Sequence, residues 1–278
     1  MTASFHAALV QMTSSRSLTE NLSTIETSVR TAADAGAALV CLPETCTLME
    51  PDRDRLFAAL KPTDSDPTVG ALCDLAKSCH VWLSVGSHVA LTMTEDAAPK
   101  AANRSLLIDP DGHIHATYDK IHLFDVDLDG GETYRESINY KGGKRAVVAA
   151  TPFGTIGMTV CYDLRFPGLY HDLAMMGADI LLVPSAFTRP TGEAHWETLL
   201  RARAIETGCY VLAAAQCGEH EGGRKTWGHS LIVDPWGQVL ADGGEKTGLV
   251  YADLNLANVA AARLRIPSLR HGRSYEKP

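Results

Sequence analysis

A chain of 278 residues with 45% hydrophobic content is long enough for a sizeable core, as one large domain or two small ones. Its formal net charge of −8 argues against nucleic acid or an anionic membrane surface as the main partner. The seven cysteines lack metal-type spacing: neither Cys73 and Cys79 nor Cys209 and Cys217 form a C-x-x-C pair, so no metal is expected.

The opening residues 1–10 have no basic segment leading into a long apolar run, and no apolar stretch approaches the ~20 residues that span a bilayer. With free thiols, this sets a cytoplasmic expectation. Residues 4–11 read as the first strand. Residues 19–35 read as a helix with Leu22, Ile25, Val29 and Ala32 on one face and Gly36 as its stop. Residues 38–42 form the next strand, closed by Pro43-Glu44; 67–79 are helical and 81–89 a strand. Residues 103–108 and 114–118 flank the turn Asp109-Pro-Asp-Gly112 as a hairpin. Residues 145–151 and 155–160 pair around Pro152-Phe-Gly154, and a helix over 166–176 leads to a strand at 180–184. A helix over 196–208, a strand at 210–216, a hairpin of 230–234 with 238–241, and a late strand at 249–253 complete the pattern. The tail from about Arg263 reads as irregular. Alternating βαβ units and hairpins predict an α/β fold with a mixed sheet under helices. With no repeat, linker or low-complexity block, residues 1–278 read as one domain.

Three reactive residues fall at the ends of apolar strands. Cys161 follows the run 155–160 and precedes a helix with Pro167 in its first turn. At that place the helix dipole favours thiolate, and outward N–H groups can hold an oxyanion. A small buried cysteine at a strand end is the bland alternative. Glu44 closes the strand 38–42, and Lys120 follows the strand 114–118; each alone reads first as a surface residue. Together they match amide chemistry. Cys161 supplies a nucleophile, Glu44 takes and returns its proton, and Lys120 with the N–H after Cys161 stabilises the tetrahedral oxyanion.

The same residues resemble the nitrilase superfamily of carbon–nitrogen hydrolases. Leu42-Pro-Glu44 is similar to its glutamate motif, Tyr118-Asp-Lys-Ile-His-Leu123 to its lysine motif, and Gly157-Met-Thr-Val-Cys-Tyr-Asp-Leu-Arg-Phe-Pro167 to its cysteine motif. Tyr134-Arg-Glu136-Ser137 resembles the segment that supplies a second glutamate, Glu136, to position the lysine or orient substrate. The resemblance implies a four-layer α-β-β-α sandwich of the nitrilase type, a homodimer or higher homo-oligomer, and no metal or organic cofactor. Ala194-His-Trp-Glu197, Ala213-Ala-Ala-Gln-Cys-Gly218 and Val233-Asp-Pro-Trp-Gly237 resemble the Nit-type amidases, whose deaminated-glutathione branch is the best match in wording. That implies a small anionic amide of an α-keto acid as substrate. The ω-amidases acting on α-ketoglutaramate are the near neighbour, and a nitrilase or N-carbamoyl amidase would use the same residues. Thr45-Cys-Thr-Leu-Met49 and the Ser268-Leu-Arg-His-Gly-Arg273 tail depart from the eukaryotic pattern, and both are candidates to border the site.

An anionic substrate needs cations near the nucleophile. Arg165 and Arg189 are the first candidates, with Arg201, Arg203, Arg224 and Lys225 behind them. Arg201 and Arg203 fit helix ion pairs with Glu197 or Glu206 equally well. Tyr162 and Thr188 are candidate hydrogen-bonding residues. Two rival readings remain. One is a Cys–His hydrolase using His122, His195 or His229, none of which carries a recognisable orienting partner. The other is a catalytically silent scaffold of the same fold, which has no reason to hold Glu44, Lys120 and Cys161 together.

Overall fold

The computed structural model describes residues 4–92, 99–127 and 133–276. In chain order the first half comprises β1 (Ser4–Gln11), α1 (Leu18–Asp34), β2 (Leu39–Cys41), α2 (Arg53–Ala59), α3 (Pro67–Cys79), β3 (Trp82–Thr92), β4 (Lys100–Ile108), β5 (Ile114–Asp119) and a short hairpin of β6 (Asp125–Asp127) with β7 (Thr133–Arg135). The second half comprises β8 (Val147–Thr151), β9 (Gly154–Met158), α4 (Pro167–Met175), β10 (Ile180–Leu182), α5 (Arg189–Thr207) and β11 (Tyr210–Ala213). It continues through a second short hairpin of β12 (Cys217–Glu219) with β13 (Lys225–Trp227), then β14 (Leu231–Val233), β15 (Val239–Asp242), β16 (Gly248–Asn255), α6 (Ala257–Arg265) and α7 (Ser268–His271).

Local chemistry accounts for the main boundaries. Ser17 caps α1 by accepting from the Glu20 N–H at 3.3 Å, and Ile25, Val29 and Ala32 are buried along one face. Asp66 caps α3 ahead of Pro67, and His80 closes it in the left-handed conformation at φ 53°. The α5 helix begins at Arg189 rather than near Trp196, because Thr188 takes the extended N-cap position and Pro190 fits the first turn. The tail is not irregular from Arg263: α6 runs to Arg265 and α7 follows, with Val259 and Ala262 buried.

Two six-stranded sheets, ordered β16-β1-β2-β3-β4-β5 and β15-β14-β11-β10-β9-β8, share one pattern. In each, two parallel pairings at the centre are flanked by antiparallel ones: β1–β2–β3 in the first, β9–β10–β11 in the second. Period-two alternation splits β1 between two cores. Ala8 and Val10 pack with Ile25, Val29 and Leu72 of α1 and α3, while Ala7 and Leu9 join a core shared with Ile156, Met158 and Leu182 of the other sheet. The same core takes in Leu173 of α4 and Trp196, Leu200 and Ala204 of α5. The Phe5 and Phe153 rings stack across the sheets at 4.3 Å. The layers therefore run α-β-β-α, a four-layer sandwich with the strand ends of both sheets opening on one side. Among the described residues no helix is long and apolar enough to cross a membrane.

Candidate active site

Each of the three residues follows the end of a short strand, parallel to a neighbour for β2 and β9 and antiparallel for β5, and is then pinned by main-chain contacts. Glu44 follows β2 and is 4% exposed. The Pro43 carbonyl accepts from the Ser87 N–H at 3.3 Å, the Ser87 hydroxyl accepts from the Thr45 N–H at 2.9 Å, and Gln216 Nε2 donates to the Glu44 carbonyl at 2.9 Å. Lys120 follows β5, its N–H donating to the Asn103 carbonyl at 2.9 Å. Cys161 follows β9 at φ 49°, a left-handed conformation that costs roughly 1–3 kcal/mol for a residue with a Cβ. The N–H of Cys161 donates to the Pro184 carbonyl at 2.9 Å, which ties the cysteine turn to the end of β10.

The side chains converge on one ring of hydrogen bonds. Lys120 Nζ donates to Glu44 Oε1 at 3.0 Å and to Glu136 Oε1 and Oε2 at 3.1 and 2.9 Å. Asn103 Nδ2 spans the same two carboxylates, reaching Glu44 Oε1 at 2.9 Å and Glu136 Oε1 at 3.2 Å. The Ala186 N–H donates to Glu44 Oε2 at 2.9 Å, and the Phe124 N–H to Glu136 Oε2 at 2.7 Å. Glu136 reaches this ring because the β6–β7 hairpin folds back before the short turn Glu136–Ile138. Asn103 is a residue that sequence reasoning missed. It lies inside a strand with no local signal, and only the pairing of β4 with β5 sets it beside Lys120.

A second buried carboxylate joins the lysine and cysteine segments. Asp163, fully buried, accepts from Tyr118 Oη at 2.6 Å, the Val160 N–H at 2.9 Å and the His122 N–H at 3.0 Å. His122 Nδ1 lies 2.6 Å from the same group, and the His122 ring stacks on Phe166 at 3.5 Å. This explains His122 as a structural residue facing Asp163. His229 instead sits 3.0 Å from Asp242, and neither it nor His195 lines the cleft that holds Cys161.

The protonation states follow from the packing. Burial works to raise the Glu44 carboxyl, but the Lys120 ammonium, the neighbouring Cys161 thiol and Arg224 outweigh it and hold the group below its usual 4.5. Burial alone would lower Lys120, yet Glu136 and Glu44 together keep it well above 10.5. Cys161 moves the other way: burial and the adjacent Glu44 charge raise its thiol despite Lys120. The resting site is therefore carboxylate, ammonium and neutral thiol. The expected thiolate-favouring helix terminus is corrected here, because Cys161 opens the tight turn Cys161–Arg165 and α4 starts only at Pro167. The N–H of Tyr162 has no acceptor among the described residues and is left for an oxyanion.

The ring opens into a cleft of about 600 Å³ lined by Glu44, Lys120, Glu136, Cys161 and, of the expected substrate-binding residues, Tyr162, Arg165 and Thr188. Arg165 Nη2 lies 3.3 Å from His195 Nδ1, with its guanidinium 5.6 Å from the Phe187 ring centre. Thr188 is buried against Thr191, hydroxyl to hydroxyl at 2.8 Å. Arg189 does not reach the cleft: as the first residue of α5 it turns to solvent and pairs with Glu245 at 2.8 Å. Arg201 and Arg203 make the helix ion pairs with Glu197 and Glu206, at 3.2 and 2.9 Å. Thr45, Leu48 and Met49 line the cleft, whereas the tail packs beside Asp179 and Arg263, away from it. Arg224, a secondary candidate from sequence, does line it, carried in by the β12–β13 hairpin.

With that geometry in view, the comparisons with known proteins are decisive. The carbon-nitrogen hydrolase model matches residues 6–264. The chain belongs to the carbon–nitrogen hydrolase family. It is 43% identical to the deaminated glutathione amidase of Synechocystis sp. over 95% of this chain and 97% of that one. The C. elegans NitFhit protein superposes with a TM-score of 0.88 at 38% identity, covering 98% of this chain and 66% of that longer one. A mutant amidase of Nesterenkonia sp. AN1, with covalent addition of the acetamide moiety of fluoroacetamide at the active site cysteine, gives 0.77 at 26% identity, over 96% of this chain and 95% of that one. The chain is thus a hydrolase of carbon–nitrogen bonds, an amidase of the nitrilase superfamily.

Proposed function

We propose that this chain hydrolyses the amide of an α-keto acid, deaminated glutathione or a close analogue, through a thioester on Cys161. Glu44 takes the Cys161 proton as sulfur attacks the amide carbon, then delivers it to the departing amine. Glu44 next activates a water that cleaves the thioester and regenerates the thiol. A neutral thiol beside a carboxylate held ionised favours proton transfer concerted with attack over a standing thiolate. Lys120 and the Tyr162 N–H stabilise the oxyanion, and Glu136 keeps Lys120 aimed between the carboxylates. Arg165 receives the keto-acid carboxylate, with Tyr162 and Thr188 framing it. These steps use only side chains, the Tyr162 main-chain N–H and water.

The observation that carries the reading is the buried Glu44–Lys120–Glu136 ring opening on Cys161 in one cleft. The name of the Synechocystis relative supports the substrate. A cytoplasmic setting accords with seven free cysteines, and one hydrolase domain acting as a homodimer or higher homo-oligomer belongs to the same reading. The test is product analysis with deaminated glutathione and α-ketoglutaramate side by side, with Cys161→Ala as control. The expected products are α-ketoglutarate and cysteinylglycine, with no turnover by Cys161→Ala and an unchanged circular dichroism spectrum. Preference for α-ketoglutaramate with ammonia release would move the chain to the ω-amidases. Wild-type rates in Cys161→Ala would end the thioester mechanism.

A further inference from the structure

The cleft contains more cationic charge than the proposed chemistry uses. Lys120 is taken by Glu44 and Glu136, and Arg135 by Asp127 through contacts of 2.7 and 2.8 Å. The acids at the rim are also occupied: the Glu221 carboxylate accepts from the Arg16 N–H at 2.9 Å, and Glu50 from the Asp52 N–H at 2.9 Å. Two guanidiniums of the lining, Arg165 and Arg224, make no ion pair within 4.0 Å among the described residues, Arg224 acting on Glu44 only from a distance. Arg224 is the more constrained of the two. Its Nη2 donates to the Ala186 carbonyl at 2.6 Å, its guanidinium lies 5.6 Å from the Tyr134 ring centre, and its Nε is buried with no hydrogen-bond partner. A buried guanidinium donor left without an acceptor is costly unless a ligand supplies one.

We propose that Arg224 binds a second substrate carboxylate, carried by the leaving group, so that the cleft selects amides with an anion on both sides of the scissile bond. The proposal rests on the keto-acid amidase reading and names the half of the substrate that reading leaves open. The geometry sets the side. The Ala186 peptide links the two groups, donating its N–H to Glu44 Oε2 at 2.9 Å while its carbonyl accepts from Arg224. Glu44 must face the leaving nitrogen to return a proton, and Arg224 lies within about 9 Å of that carboxylate along this one residue. A dipeptide leaving group places its terminal carboxylate about 7 Å from its amine nitrogen. Arg165, four residues beyond the nucleophile and packed on Phe187, serves the acyl side. The fork of Arg224 directs one amino group, Nη2, to the Ala186 carbonyl and leaves its stem-side Nε unpartnered, a planar donor set that suits a carboxylate better than a point cation would.

The experiment compares deaminated glutathione with its C-terminal carboxamide, which keeps the scissile bond and removes only the second carboxylate. Wild-type kcat/KM should favour the acid by roughly ten- to a hundredfold, the range for a hydrogen-bonded charge. Arg224→Gln should erase that preference, chiefly by raising KM for the acid, and Arg224→Lys should keep part of it. A wild-type enzyme indifferent to the carboxamide overturns the proposal, with no dependence on how any variant folds. So does an Arg224→Gln enzyme slowed equally on both compounds, which would mark Arg224 as acting through Glu44 alone. A wild-type enzyme that cleaves neither compound overturns the keto-acid reading underneath, a result distinct from the other two.

Discussion

Replacing Gly86 by alanine tests whether the site depends on contact between the two sheets. Gly86 lies at the irregularity in β3 between Val85 and His88, where the strand passes under both halves of the site. A Cβ there would fall 1.9 Å from the Leu42 carbonyl oxygen, 2.5 Å from Pro184 Cβ and 2.7 Å from the Pro43 carbonyl carbon, where real contacts are essentially never under 3.0 Å. Backbone must therefore move by about 1 Å, since no flexible side-chain end can yield. Leu42 and Pro43 carry Glu44, and the Pro184 carbonyl holds the Cys161 N–H. The shift thus separates base from nucleophile. A misplacement of about 1 Å costs on the order of a hundredfold in rate, and overpacking costs about 1–3 kcal/mol of stability. The assay is kcat on deaminated glutathione together with thermal unfolding. Gly70→Ala is the control: this α3 position has nothing within 4 Å, so stability should rise by about 0.5–1 kcal/mol with kcat unchanged. Wild-type kcat and Tm in Gly86→Ala would refute the reasoning.

Glu44→Gln and Lys120→Met should each lower kcat by roughly a hundredfold or more, measured under substrate saturation. The Glu44–Lys120 pair also sets a stability window. Glu44, held below 4.5, contributes fully above that value and loses its contribution as pH falls through its folded pKa. Lys120, held above 10.5, contributes fully below that value and loses its contribution as pH rises through its folded pKa. Thermal unfolding across pH should find this contribution flat between, and the Tm gap to Lys120→Met should narrow towards pH 4 as the unpaired Glu44 takes a proton. Asp163→Asn leaves either the Val160 or the His122 N–H facing an amide NH₂, so it should cost about 1–3 kcal/mol in urea unfolding. It should also lower kcat, because Val160 precedes Cys161.

How much of the site was legible depended on whether a residue's role is local. Glu44, Lys120 and Cys161 each end an apolar strand, and a polar reactive group in that position is visible in the chain itself. Glu136 came only through resemblance, since no local pattern marks a turn after a three-residue strand. Asn103 carried no signal, because its neighbours in space come from β5 and from the β2 loop. Arg165 and Arg189 looked equivalent as cations. The N-terminal position of Arg189 on α5 turns it to solvent and Glu245, while Arg165 stays over Phe187.

Sequence by itself determined the periodicities, hence the alternation of strands and helices, and the order of the three reactive residues. These depend on contacts within a few residues or on burial of one face. Tertiary structure alone decided the protonation states and the cation inventory. A helix N-terminus after Cys161 would favour thiolate, yet burial and the Glu44 charge, which arrives from the opposite sheet, keep it a thiol. Likewise Arg224, a secondary cation candidate in the sequence, is singled out from the others only by the β12–β13 hairpin, which places it over Ala186 with its Nε unpartnered. Electrostatics in a buried site sums over groups that the chain brings together from distant segments, and no local pattern encodes that sum.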